Sequence, residues 1–259
     1  THQEERLDMS WYSEYNMTSW SYSHYSLALQ CLRKYKLVCV DKLEPEGLES
    51  SDLGFGTALH AGINDVLAGV DAISTFTLHW QALEGTMSYT RYNHEALGSM
   101  GVEFLRKFEK LHAKKYIVQK AEQRIYSSYK GVKIEGTPDF IGLYEGRPSL
   151  RDYKTSSTNY AKEKIPSSLQ LNLYAYLAQK ELGFTPETLG YDVFNKGLGS
   201  IQHLTRDFSE KIMLTHLHAM LDYIEMMDKQ KTYPKNVNNF MAYNKPCDFF
   251  NICFPKEEK

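Results

Sequence analysis

The stretch 135-EGTPDFIGLYEGRPSLRDYKTSS-157 decides how the rest of the chain is read. With the twenty residues before it, it is rich in aromatic and β-branched residues and carries turn signals at Tyr129–Gly131 and Gly146–Pro148. The pattern predicts three consecutive strands over about 117–127, 132–144 and 149–154. Their connections are too short for parallel crossovers, so an antiparallel meander is expected. Side chains alternate along a strand, so Leu150, Asp152 and Lys154 share one face while Arg151 and Tyr153 take the other. A hairpin turning near Gly146 brings Asp139 beside Asp152. Two adjacent carboxylates repel unless one keeps its proton or a cation lies between them. Mg²⁺ suits such a pair, and a lysine two residues on supplies positive charge for a phosphate oxygen or an attacking water. On this stretch alone a second reading stays open: a solvated hairpin whose charges pair across strands. The glutamates at 135 and 145 read as bystanders in the turns.

Outward from this centre, the chain has 259 residues, 42% hydrophobic and 24% charged, which is the composition of a globular domain and not of a disordered one. Thirty basic residues against 32 acidic ones give a net charge of −2, which neither advertises nor excludes a nucleic-acid partner, since phosphates need only a local basic surface. No apolar run approaches the ~20 residues of a membrane span, so no membrane partner is expected. The polar start, THQEERLDMS, shows no signal-peptide pattern and lacks an initiator Met, as in a trimmed chain. Together with four cysteines and no disulfide framework, this suggests a cytoplasmic protein.

Before the strands, residues 21–40 read as a helix capped by Ser21 or Ser23, with an inward stripe of Leu27, Cys31 and Tyr35. "GFGTALHAGINDVLAG" reads as a helix entered through glycines and carrying His60, and 73–113 as further helix broken near Gly85 and Gly98. After the strands come a helix with Gln170 and Tyr174 one turn apart, ending near Gly183, then two strands and a long amphipathic helix. The whole is expected to be one α/β domain over 1–259: an N-terminal helix (21–40), a helical region with His60 (54–113), a core (116–207), and a C-terminal helix with a Cys-bearing tail (208–259). Glu122 is placed in mid-strand, where Glu is depleted.

The series "GTALH", "AE", "GTPDF", "DYKT" and "QLNLYAY", in this order, resembles the RecB-like, phage-type exonuclease branch of the PD-(D/E)XK nuclease superfamily. The "PD" is Pro138-Asp139 and the "(D/E)XK" is Asp152-Tyr153-Lys154, with His60 upstream and Gln170 and Tyr174 downstream. The resemblance implies a restriction-endonuclease-like α/β core, a mixed central sheet with an antiparallel three-strand meander flanked by helices, plus a helical insertion. It implies that His60, Asp139, Asp152 and the Tyr153 carbonyl ligate Mg²⁺ or Mn²⁺ and that Lys154 serves the attacking water and the phosphate. Glu122 would position a water or a second metal, and Gln170 and Tyr174 would hold the DNA backbone or brace the site. The implied activity is a DNA exonuclease in recombination, repair or phage DNA processing, acting on single- or double-stranded ends, with a recombination partner protein or a homo-oligomer compatible with it. The alternatives are a structure-specific endonuclease on the same fold and a non-catalytic DNA-binding subunit. Many relatives hold an iron–sulfur cluster on four cysteines. Here Cys31, Cys247 and Cys253 match that pattern, Asn244 stands at the fourth position, and a relative without the cluster is expected, its three cysteines packed near each other. In the insertion, Trp80, Tyr89, Tyr92 and Phe104 are candidates for stacking on bases, with core packing the alternative.

Overall fold

The computed structural model describes residues 19–242 and 245–255. The first helix, α1 (Tyr22–Gln30), is capped by Ser21 in a reciprocal arrangement with His24. It ends at Cys31, whose extended backbone breaks the single helix expected over 21–40; a short turn, Leu32–Tyr35, then runs into a wider one, Lys36–Val40. Three helices follow: α2 (Ser51–Ala68), α3 (Ala72–Ala82) and α4 (His94–Leu111). Gly98 lies inside α4 and breaks nothing. A Cβ there would sit 2.9 Å from the Trp80 ring, so the glycine lets α3 and α4 approach.

Apart from two-residue pairings outside the core, the strands begin with β1 (Tyr116–Lys120), β2 (Ile125–Tyr129), β3 (Val132–Gly136), β4 (Phe140–Tyr144) and β5 (Arg147–Ser156). After helix α5 (Leu169–Leu182) come β6 (Thr188–Asn195), β7 (Ser200–Asp207) and the long helix α6 (Glu210–Gln230). The main sheet is mixed and five-stranded, in the order β1-β4-β5-β6-β7, with β5 and β6 parallel and every other pair antiparallel. Helix α5 makes the crossover that the one parallel pair requires.

Two of the expected strands are in fact four. The run 117–127 breaks at Glu122, whose φ of +47° is not a strand conformation, and the run 132–144 breaks at Pro138, which has no N–H to give a ladder. The breaks face each other, with the Glu122 N–H donating to the Pro138 carbonyl at 3.1 Å. Between them β2 and β3 leave the sheet as a separate hairpin. That hairpin reaches back to the start of the described chain: the Trp20 N–H donates to Lys133 and its carbonyl accepts from Glu135, both at 2.8 Å. Glu135 is therefore no bystander. It is buried, accepts from Ser19 Oγ at 2.6 Å and pairs with Arg124 at 2.5 Å. Glu145, by contrast, is an exposed turn residue paired with Lys115.

Each face of the sheet has its own apolar cluster. Helices α2, α3 and α4 bury Phe55, Leu59, Phe76, Trp80 and Phe104 against Phe140, Tyr153 and Phe194. Helices α1, α5 and α6 bury Leu171, Leu173, Leu217 and Ile224 against Ile141, Leu150 and Val193. Because both faces are covered, β6 is buried along its whole length, as a strand between two helical layers must be. The two-faced arrangement sets the position of Arg151. It points away from Asp152 and is fully buried, with two bonds to Asp192 (2.6 and 2.9 Å) and one to Thr205 (2.9 Å). Gly190 leaves room for it, since a Cβ there would lie 2.3 Å from the guanidinium.

Candidate active site

Strand β4 begins at Phe140, opposite Arg151, whereas β5 runs on to Ser156 beside β6. From Asp152 onward β5 therefore has no strand on its β4 side. Asp139, the residue just before β4, fills that gap, and its Oδ2 accepts the Tyr153 N–H at 2.6 Å. In a strand the N–H and C=O of one residue face the same neighbour, so the Tyr153 carbonyl is aimed toward the same gap.

Helix α2 brings His60 to the gap from one face of the sheet. Its Nδ1 lies 3.5 Å from Asp139 Oδ1, and its ring packs edge-on against Tyr153. Helix α5 approaches from the other face. Lys154 Nζ donates to Gln170 Oε1 at 2.9 Å, and Gln170 Nε2 donates to the Tyr174 hydroxyl at 3.1 Å. Tyr174 lies over Gly136, where a Cβ would come within 2.5 Å of its ring, which explains a glycine just ahead of the Pro-Asp pair. Lys154 Nζ also stands 2.6 Å from Asp152 Oδ2. That contact is an ion pair with poor hydrogen-bond direction, so Oδ2 is buried without a directed donor.

The electrostatics follow from the burial. Loss of water pushes the Asp152 carboxyl up to about 6; Lys154 opposes the rise and Asp139 adds to it. Burial is the largest single influence on Lys154 and acts to lower its pKa, but the Asp152 and Asp139 carboxylates with Tyr191 together outweigh it, and the net shift is upward. Burial is likewise the largest single influence on His60 and acts against its charged form, but Asp139 and Asp152 together outweigh it, again with a net rise. The groups thus hold one another in place while one carboxyl is poised between its two forms.

The donors fit a small hard cation. Two carboxylates, one imidazole and a backbone carbonyl face one gap, and a buried carboxylate oxygen there lacks a directed partner. Among the described residues no group of three or more His, Cys, Asp or Glu side chains is arranged to hold a metal ion, so His60, Asp139 and Asp152 are near one another but not set as a three-ligand site. An incomplete set is what Mg²⁺ takes, keeping waters and phosphate oxygens for its other positions.

The structure gathers His60, Asp139, Asp152, Tyr153, Lys154, Gln170 and Tyr174 in one place. Glu122 departs from the expected mid-strand position. It is exposed at the chain reversal beside Pro138, on the rim of the gap. Trp80 and Phe104 are buried against other aromatic rings and are not available to bases. Cys31, Cys247 and Cys253 line one small cavity of about 80 Å³, while Cys39 is buried elsewhere; Asn244 lies outside the described residues. Sequence reasoning missed the network behind the site, in which Asp192 also accepts from His203 (2.6 Å) and His203 meets His112 (2.9 Å). Its one local signal is a charged residue amid the apolar run of "TLGYDVF".

The sequence matches the model of the PD-(D/E)XK nuclease superfamily over residues 19–253. The chain belongs to that superfamily. Among solved structures, it is similar to a protein from Eubacterium rectale that carries the provisional name exonuclease, with 13% identity, 96% of this chain and 98% of that chain covered, and a TM-score of 0.57. Identity at that level speaks for the fold alone. A second structure, SSO0001, is 16% identical over 86% of this chain and 93% of its own, but with a TM-score of 0.34 it carries no weight. Comparison with curated proteins gives no match. As a superfamily member the chain is a nuclease, a hydrolase of phosphodiester bonds, and divalent metals are the usual cofactors of such enzymes.

A cofactor held this way should compete with protons. Because burial raises the Asp152 carboxyl to about 6, metal binding has to displace a proton below that pH and not above it. The metal-free protein has the opposite dependence. A carboxyl raised on folding favours the folded state below its unfolded value of about 4, and that contribution is lost as the pH rises through about 6. Millimolar Mn²⁺ is therefore expected to raise the melting temperature clearly at about pH 8 and hardly at about pH 5. Thermal melts across this range check it, and an increment independent of pH would remove Asp152 from the ligand set.

Proposed function

We propose that this chain is a Mg²⁺- or Mn²⁺-dependent deoxyribonuclease, and specifically an exonuclease that works from DNA ends in recombination, repair or phage DNA processing. The observation that carries the reading is the meeting of Asp139, Asp152 and Lys154 where β4 stops short of β5, with His60 closing one side. A bound divalent metal supplies Lewis acidity and a more acidic water. His60, Asp139, Asp152 and the Tyr153 carbonyl would hold it.

Lys154 has the reach and charge to orient the attacking water and to stabilise negative charge growing on the phosphate. Gln170 fixes the lysine from α5, and Tyr174 fixes Gln170, so the amine is held in place before substrate arrives. Glu122, exposed on the rim, would position a water or a second metal. A binding module would have no use for a lysine kept charged beside a buried carboxylate whose pKa is raised, which favours catalysis over a scaffolding role. No helix among the described residues is long and apolar enough to cross a membrane. The preference for ends rests on the resemblance to the RecB-like branch.

The test is digestion of end-labelled linear DNA and of circular single-stranded DNA with Mg²⁺ or Mn²⁺. Linear DNA should shorten from its ends and the circle should survive. Cutting of the circle would make the chain an endonuclease on the same fold. No cleavage of either would leave the DNA-binding alternative standing.

A further inference from the structure

A cleft of about 520 Å³ opens directly from the catalytic lysine, between α1, the loop before α5, and α6. Lys154 and Gln170 form one end of it. Tyr22 and Tyr25, both half-buried on α1, line one wall. Tyr160, Lys164 and Ser167 line the other, and the first turn of α5 opens into it. The Tyr160 backbone is held at both polar groups by the Gln202 amide, at 2.8 and 3.0 Å, so this wall is fixed in place. Lys164 is exposed and stands 3.7 Å over the Tyr160 ring. Among the described residues no carboxylate lines the cleft, while two lysines and His216 do. Flat rings, cations and a helix N-terminus beside a phosphate-cutting site match the parts of single-strand binding sites: stacking for bases, positive charge for the backbone.

The size decides the form of the substrate. The volume of the cleft is that of about one or two nucleotides, so a base-paired duplex could meet it only from outside. We propose that the cleft takes the unpaired nucleotides flanking the scissile phosphate, with bases against Tyr22 and Tyr25 and the backbone passing Lys164 and Ser167 toward Lys154. The enzyme then acts on single-stranded or frayed DNA and not on a continuous duplex. This deepens the nuclease reading and rests on it.

The experiment measures fluorescence anisotropy of a labelled single-stranded oligonucleotide and of a blunt hairpin duplex, both in EDTA, so that no cleavage occurs. The wild type should bind the single strand more tightly. Tyr22→Leu should weaken single-strand binding by about tenfold, the order that one stacked base supplies, and Tyr22→Phe should keep it. Lys164→Ala, at an exposed position that does not endanger folding, should weaken it and lower the slope of log affinity against log salt by about one. Equal binding of single strand and duplex overturns the proposal, as does a Lys164→Ala protein with unchanged affinity and salt slope. Either result leaves the nuclease reading intact if the wild type digests DNA. Absence of digestion with both metals sinks that reading, whatever the binding shows.

Discussion

Lys154→Ala should reduce DNA cleavage by at least about a hundredfold to a thousandfold, the loss seen when a preorganised donor to a developing negative charge is removed. The effect has two sources that act together. The amine proposed to face water and phosphate is lost, and so is the charge that opposes the rise of the Asp152 carboxyl. Without Lys154 that carboxyl holds its proton to higher pH, so the variant should also need more metal and a more alkaline buffer for whatever activity remains. Binding of DNA without metal should fall far less than cleavage, since Lys154 would supply one phosphate contact among several. Arginine is not expected to substitute, because a planar fork does not fit a place where one amine meets both Asp152 Oδ2 and Gln170 Oε1. End-labelled substrate with Mg²⁺ and Mn²⁺, beside a melting curve to show that the fold is kept, reads all of this. A Lys154→Ala protein that cuts at the wild-type rate would falsify the assignment.

The second large effect belongs to stability. Arg151→Ala removes a fully buried guanidinium and leaves Asp192 equally buried. Breaking one side of such a pair costs about 3–5 kcal/mol, which for a chain of this size is roughly 6–20 °C in melting temperature. Burial alone would push the Asp192 carboxyl up; the Arg151 charge, with bonds from His203 and Arg151, holds it well below the usual range. A lowered carboxyl stabilises the fold above its unfolded value of about 4, and that contribution is lost as the pH falls through the folded value. In Arg151→Ala the carboxyl loses its main support, so acid unfolding should begin at a higher pH than in the wild type. Replacing both partners, Arg151→Met with Asp192→Leu, should cost less than Arg151→Ala alone, because no unpaired charge stays behind. Urea and pH titrations of the three proteins test this, and equal losses in the single and double variants would show that the pair is not what matters.

The chemistry was legible because it is local. Asp152 and Lys154 share a face through strand parity, and Gln170 and Tyr174 share one through helical spacing, so four of the gathered residues follow from distances of two and four along the chain. What could not be read depends on partners far away. Glu135 looks like a turn residue until Ser19, 116 positions earlier, closes on it. Arg151 finds Asp192 across 41 positions. The split of the two long strands turns on Glu122 adopting a left-handed backbone, which its residue type does not announce. Pro138 did signal a break, but the aromatic and β-branched residues on either side of it argued for continuity. The cleft beside Lys154 needs α1 laid against α5, and that depends on Trp20 joining the β3 hairpin, again a pairing without local trace.

Strand β5 alternates two duties residue by residue. Arg151 and Tyr153 are buried on one face, and Asp152 and Lys154 gather at the gap on the other. A slip of the strand by one position would exchange its two faces, taking Lys154 away from Gln170 and the guanidinium away from Asp192. Misregistered chains are therefore penalised on both faces at once. Core packing and the position of Asp152 and Lys154 are thus set by one and the same alternation, so neither can be correct without the other.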